Sequence, residues 1–271
     1  MLSFEVFPPK SSSSFDSVRE ATEKIASLSP SFMSVTYGAG GGTSKYTIDI
    51  AKNIQDNYHI PTLAHLTCVS SDRETVRERI ADMKAAGIKN VMALRGDIPQ
   101  GMENIPRDYR YAVELIRDLK ESDGDFCIGG ACYPEGHPES PSLEDDIRFL
   151  KEKTDAGLDF LTTQMFFDNN LYYDFLDRVG RMAIDAPVIP GIMPITSVNQ
   201  IDRVILLSGS LLPREFLNLV EMYGSDAVAM HDAGVDYAMR QIRNLFDNGV
   251  KNVHVYTMNK PNVAKKIIEM L

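Results

Sequence analysis

The sequence predicts a single-domain (β/α)8 barrel over residues 1–271. Short apolar runs alternate with longer stretches of helical period, and such alternation makes a parallel sheet. Eight such units in about 250 residues is the arithmetic of a closed barrel. The rival, an open doubly wound sheet, lacks its dinucleotide fingerprint. Gly38-Ala39-Gly40-Gly41-Gly42 has no glycine at the sixth position of G-x-G-x-x-G, and no Walker A motif is present.

Taken in order, the first strand is Leu2–Phe7, stopped by Pro8-Pro9. A helix over Phe15–Leu28 follows, with Phe15, Val18, Ala21, Ile25 and Leu28 on one face. The second strand is Phe32–Tyr37; a glycine loop leads to a helix over Ser44–Asp56. Strand Thr62–Thr67 precedes helix Arg73–Ala86, and strand Asn90–Leu94 precedes helix Asp108–Leu119. Strand Phe126–Tyr133 precedes helix Leu143–Ala156, and strand Phe160–Gln164 precedes helix Asn170–Ile184. The seventh strand is Val188–Ile195 and the eighth Val253–Tyr256, with room for two or three helices between them. Gly87 and Gly157 follow helical runs, as C′ residues do.

Composition narrows the function. A net charge of −10 opposes nucleic-acid binding. Three cysteines, Cys68, Cys127 and Cys132, make no disulfide framework and point to a reducing compartment. The N-terminus has no basic n-region, and no window approaches the apolar length of a membrane span, so a cytoplasmic protein is expected, with no membrane partner. No C-x-x-C or H-E-x-x-H pattern occurs, and no metal is expected.

Barrel enzymes work at the C-terminal ends of their strands. There the sequence offers Glu5, Thr36, Tyr37, His65, Thr67, Arg95, Gly96, Asp97, Tyr133, Glu135, His137, Thr163, Gln164, Thr196, Gln200, Tyr256, Asn259 and Lys260. This ring of amide, hydroxyl, imidazole and carboxylate groups suits a large, polar, planar ligand and the movement of protons or hydride. No lysine ends the sixth strand for Schiff-base chemistry, and no Gly-x-Ser-x-Gly elbow is present.

Eight segments in order carry a resemblance. They are Phe4-Glu5-Val6-Phe7-Pro8-Pro9-Lys10, Ser34-Val35-Thr36-Tyr37-Gly38, His65-Leu66-Thr67-Cys68 and Ala93-Leu94-Arg95-Gly96-Asp97-Ile98-Pro99, then Tyr133-Pro134-Glu135-Gly136-His137-Pro138, Thr163-Gln164-Met165-Phe166-Phe167-Asp168, Pro190-Gly191-Ile192-Met193-Pro194 and Tyr256-Thr257-Met258-Asn259. Together they resemble the serial motifs of the methylenetetrahydrofolate reductases, in the short bacterial form without a C-terminal regulatory domain. The resemblance implies a barrel holding non-covalent FAD. It implies reduction of 5,10-methylenetetrahydrofolate to 5-methyltetrahydrofolate, with NADH or NADPH as hydride source, in a ping-pong cycle on one flavin face. A homo-oligomer is expected, and some relatives take electrons through a partner subunit.

The resemblance also assigns residues. Glu5 is implied as the general acid at folate N10, and Asp97 as a carboxylate near flavin and pterin that stabilises cationic folate intermediates. Thr36, His65, Arg95, Gly96, Asp97, Ala112, Tyr133, His137, Asp146 and Lys153 map onto FAD-contacting positions. Gln164, Gln200, Lys260 and Tyr37 map onto the substrate side. Three positions depart from the bacterial pattern: Val204 stands where an aromatic packs over the ligand, Lys260 replaces a substrate-contacting arginine, and Phe149 replaces an asparagine near the FAD. The usual leading helix is also missing before strand one. Two rivals of other classes are a barrel lyase or aldolase and a non-catalytic folate or flavin carrier. Glu5 and Asp97 speak against the carrier, because binding alone requires no acid at the reacting nitrogen.

Overall fold

The computed structural model describes residues 1–9, 15–37, 44–98, 101 and 107–271. Lys10, the Gly38–Gly42 loop and Pro99, all parts of the motifs above, lie outside the described residues. Strands β1 (Leu2–Val6), β2 (Met33–Val35), β3 (Thr62–Thr67), β4 (Asn90–Leu94), β5 (Cys127–Cys132) and β6 (Phe160–Thr163) run parallel, each hydrogen-bonded to the next. The expected seventh strand is two pieces, β7 (Val188–Ile189) and β8 (Gly191–Ile192), and β9 (Val253–Tyr256) returns beside β1.

The split explains how the barrel closes. Pro190 has no N–H to give the ladder, so pairing changes sides across it. β7 pairs with β6 through Leu161↔Val188, and β8 pairs with β9 through Gly191↔His254. Side chains bridge the seam: the Gly191 N–H donates to Thr163 Oγ1 at 2.8 Å, and the Tyr256 hydroxyl donates to the Thr163 carbonyl at 2.5 Å. Eight staves result, the seventh broken at Pro190.

Helices α1 (Phe15–Ala26), α2 (Ser44–Tyr58), α3 (Arg73–Ala85), α4 (Ala112–Glu121), α5 (Leu143–Asp155) and α6 (Asn169–Arg181) follow the first six strands. The long return between β8 and β9 holds α7 (Ile201–Ser208), α8 (Arg214–Tyr223) and α9 (Ala227–Asp247), and α10 (Pro261–Met270) ends the chain. The helix expected from Asp108 starts at Ala112. The Glu114 carboxylate accepts the N–H groups of Arg110 and Tyr111 at 2.6 and 2.8 Å and so fixes the start. Gly87 and Gly157 have φ of +72° and +107°, as the C′ reading requires.

Strand alternation sorts the core. Phe4, Val6, Met33, Val35, Leu66, Val91, Val253 and Val255 are buried outward against the helices. The inward positions carry Ser3, Glu5, Ser34, His65, Thr162, His254 and Tyr256, which bond one another or line the cavity. Barrel interiors are usually filled by branched aliphatics; this one sets a polar cluster from β1, β2, β3 and β9 beside the apolar Met92 and Leu94 of β4. A second apolar cluster, including Phe167, Met193, Ile195, Val204, Phe216 and Tyr237, seats α7–α9.

Candidate active site

A cavity of about 440 Å³ opens at the C-terminal mouth of the barrel. Glu5 and His254 line its floor, Tyr133, Gln164, Gln200 and Arg203 are among its polar walls, and Met92, Leu94, Met165, Met193 and Val204 are among its apolar ones. Concave, mostly apolar pockets with a few convergent polar groups are the usual form of a small-molecule site.

Glu5 points inward because its neighbours Phe4 and Val6 are the outward, fully buried residues of β1. Its Oε2 lies 3.2 Å from Ser34 Oγ, 3.6 Å from His65 Nε2 and 4.0 Å from His254 Nε2. Burial pushes its carboxyl up to about 7, opposed by the Ser34 hydroxyl where it donates to the ionised form. Burial also drives both histidines down, His65 to about 4 and His254 to about 3. At neutral pH no imidazolium faces the carboxyl, which is therefore held near its titration point. The linkage signs differ. The Glu5 contribution to stability is present below 4.5 and lost as pH rises through about 7. Those of the histidines are present above 6.5 and lost as pH falls towards 4 and 3.

Both glutamines have their amide oxygens occupied. Gln164 Oε1 accepts the Met165 N–H at 3.0 Å. Gln200 Oε1 accepts the Thr196 N–H and hydroxyl at 2.8 and 3.0 Å, and Lys260 Nζ donates to the same Thr196 Oγ1 at 2.5 Å. Each glutamine is left with its NH2 donors for an acceptor-bearing ligand edge.

A second constellation sits at the ends of β4 and β5. Arg95 makes a two-point ion pair with Glu139, at 2.5 and 2.8 Å. The Glu139 N–H donates to His137 Nδ1, and the His137 ring meets Tyr133 edge-on at 4.7 Å. Asp146 accepts the His137 N–H and the Ser140 hydroxyl, while Lys153 donates to the Ala131 carbonyl at 2.6 Å. Helical spacing alone would put Asp146 and Lys153 on a solvated face, and only the resemblance maps them to the cofactor side; here both are half-buried and tied into the site wall.

The structure thus brings Glu5, His65, Tyr133, Gln164 and Gln200 around one cavity, with Arg95, His137, Asp146 and Lys153 clustered beside Tyr133. Gly96 follows Arg95 at φ +82°, and a Cβ there would stand 2.9 Å from Thr67 Cβ. Other expected positions do not line the cavity. Asp97 is exposed beyond β4, Thr36 accepts the Thr47 hydroxyl through its carbonyl, Tyr37 packs on the core, Ala112 opens α4, and Lys260 sits behind Thr196. Of the departures, Val204 is a cavity wall and Phe149 is an exposed residue of α5. Sequence reasoning misses Ser3, Ser34, His254 and Arg203. For the first three the signal is parity: each alternates with apolar residues in a strand and shares the face of Glu5 or Tyr256.

The cavity leaves polar groups of its lining for a ligand or water to meet. His65 Nε2 and Thr162 Oγ1, both on lining residues, are buried without hydrogen-bond partners, and such orphans are costly unless a ligand or water meets them. Among the described residues there is no cluster of His, Cys, Asp and Glu placed to hold a metal ion, and no helix long and apolar enough to cross a membrane.

Comparison with known proteins agrees with this architecture. The chain is 36% identical over 270 residues to 5,10-methylenetetrahydrofolate reductase of Pectobacterium carotovorum, covering all of this chain and 89% of that protein. It is 35% identical to the Escherichia coli protein of the same name, covering 90% of it. It is 34% identical to methylenetetrahydrofolate reductase 1 of Schizosaccharomyces pombe, covering 45% of that longer protein. Among solved structures, an uncharacterized Clostridium thermocellum protein that binds two copies of 5-methyl-5,6,7,8-tetrahydrofolic acid superposes with a TM-score of 0.69 at 13% identity. That match covers all of this chain and 96% of that one, and it shows the shared fold. The family model described as methylenetetrahydrofolate reductase matches residues 1–271. With the match running the full chain and the bacterial relatives aligned over nearly all of their length, the chain belongs to the methylenetetrahydrofolate reductase family.

Proposed function

We propose that the chain reduces 5,10-methylenetetrahydrofolate to 5-methyltetrahydrofolate, with NADH or NADPH as donor and FAD as carrier, in two half-reactions that share one cavity. The observation that carries this is Glu5, a buried carboxyl at the cavity floor pushed up to about 7, with no cation beside it. The folate substrate needs its five-membered ring opened before it can accept hydride. A proton delivered to N10 makes that nitrogen the leaving group and yields the N5 iminium. An acid still protonated near neutral pH suits this step.

Bound FAD supplies the two-electron carrier. The residues that would hold it are Arg95, Gly96, Tyr133, His137, Asp146 and Lys153 at the β4–β5 rim, with His65 on the cavity wall; Thr36 and Ala112 belong to the same proposal. Gln164 and Gln200 offer amide donors to the pterin edge or the nicotinamide carboxamide. Lys260, one step behind Gln200, steadies it through Thr196. The apolar walls exclude water from the reacting centre.

Heat-released supernatant of the purified protein should contain FAD. Anaerobic mixing with NADH, NADPH and reduced ferredoxin in parallel should then bleach the flavin with its true donor, and methylenetetrahydrofolate should restore the colour. Protein that takes up no flavin from excess FAD ends this reading.

Two results follow for the folate half-reaction. Because the acid form of Glu5 is lost above about 7, the rate of flavin reoxidation should fall about tenfold per pH unit on the alkaline side. A flat stopped-flow profile from pH 6 to 9 would place the proton elsewhere. Asp97→Asn should keep fold and flavin, since the amide is nearly isosteric. It should slow reoxidation on the order of tenfold; solvent screening of the exposed carboxylate limits the effect. Unchanged reoxidation would show that this charge does not act on the folate cation.

A further inference from the structure

His254 is buried in the middle of β9, with its ring stacked on Phe32 at 5.4 Å and held edge-on by Tyr256. Its Nδ1 lies 2.8 Å from Ser3 Oγ and its Nε2 3.0 Å from Ser34 Oγ. The chain continues at both ends. Ser34 Oγ is 3.2 Å from Glu5 Oε2, and Ser3 Oγ is 3.3 Å from the Val253 carbonyl. Four links join five groups, and the hydrogens available to them are few: a serine has one hydroxyl hydrogen and a neutral imidazole one N–H.

Two arrangements are self-consistent. In one, every donor points away from the cavity: Glu5 O–H to Ser34, Ser34 O–H to His254 Nε2, His254 Nδ1–H to Ser3, and Ser3 O–H to the Val253 carbonyl. All four links are then made. In the other, every donor points towards Glu5: Ser3 to Nδ1, Nε2–H to Ser34, and Ser34 to an ionised carboxylate. That uses three links, because the Val253 carbonyl has no hydrogen to give. The first arrangement makes one more bond and places no bare charge in a buried site.

We propose that Ser3 holds His254 as the Nδ1–H tautomer, and that His254, by claiming the single hydroxyl hydrogen of Ser34, turns Ser34 into an acceptor for protonated Glu5. His254 is thus a positioning residue that keeps the acid loaded. This rests on the reading of Glu5 as the proton donor. Other titratable groups facing Glu5 do not override the hydrogen bonds. β2 presents only Ser34, β3 presents His65 with its imidazole driven down to about 4, and β9 presents His254 and Tyr256, whose phenol is driven up. None carries a charge at neutral pH.

Two measurements on the FAD-loaded protein test the proposal. Ring ¹⁵N shifts of wild-type protein, with the His254 signals identified by their loss in His254→Gln, should show a protonated Nδ1 and a bare Nε2. A protonated Nε2 overturns the proposal. The side-chain ¹³C titration of Glu5 should move down by about half to one pH unit in Ser34→Ala, because the protonated carboxyl loses its acceptor. If Ser34 instead donates to the carboxylate, the same variant moves the midpoint up; an upward shift, or none, overturns the proposal. The ¹⁵N measurement needs no folded Ser34 variant. Neither readout involves turnover, so a Glu5→Gln enzyme that still reduced folate would sink the acid assignment while leaving this result standing.

Discussion

Glu5→Gln is expected to leave flavin reduction by the pyridine nucleotide within several-fold of wild type and to slow reoxidation by methylenetetrahydrofolate by roughly 10²-fold or more, the usual scale of general acid catalysis. The asymmetry follows from chemistry. Hydride transfer between two planar rings needs no proton at folate N10, whereas opening the folate ring does. The substitution is mild for the fold, because a glutamine amide matches the size of the protonated carboxyl, the form that burial favours here. Ser34 Oγ can accept from the new NH2 as it would from the acid. A purely structural Glu5 would behave differently, lowering flavin content or slowing both half-reactions alike. Stopped-flow measurement of the two rates under anaerobic conditions separates the cases. Wild-type reoxidation in the variant would move the acid role to another group, with a water bound in the cavity next in line.

The parts of this protein legible in the sequence are those where local pattern and tertiary environment agree. Strands Thr62–Thr67, Asn90–Leu94 and Val253–Tyr256 have the bounds that their apolar runs predict. The seventh strand does not. Val188–Ile195 reads as one apolar run, and only the ladder shows that Pro190 breaks it and hands pairing from β6 to β9. Helix α10 escapes notice, although Pro261 at its start and Val263, Ala264 and Ile267 on its buried face were signals for it.

The same division holds for the site. Glu5 stands out because a carboxylate inside a strand has to be explained. His254 does not, since a histidine between two valines reads as ordinary core until Ser3, Ser34 and Glu5 are placed around it. Asp97 illustrates the converse. Its motif is legible, yet the side chain is exposed outside the cavity lining, so the effect on folate proposed for it would act at a distance. Asp146 and Lys153 are legible only through the resemblance, because helical spacing cannot distinguish a solvated face from one turned to the β5 rim. The lyase and carrier alternatives were open on residue types alone; the full-length family match decides against them.

Two helix glycines should respond to alanine in opposite ways. Gly180 in α6 has open space where a Cβ would go, with nothing within 4 Å. Gly180→Ala should therefore be neutral or stabilise by about 0.5–1 kcal/mol, the ordinary gain of alanine over glycine in a helix. Gly234 in α9 is in the contrary position. A Cβ there would stand 1.7 Å from the Ile195 carbonyl oxygen and 2.8 Å from its carbon, both backbone atoms that no rotamer change can move. The absence of a side chain is what lets α9 lie directly on the segment leaving β8. Gly234→Ala must push the helix or that segment outward, and overpacking of this kind costs about 3 kcal/mol or more. For a chain of this size that is a fall in Tm of roughly 6–12 °C. The damage should also reach the site, because Ile195 leads directly into Thr196, whose N–H and hydroxyl hold Gln200 at the cavity wall. Folate KM should rise in Gly234→Ala and stay unchanged in Gly180→Ala. Equal melting temperatures for the two variants would mean that α9 does not rest on Ile195 as described.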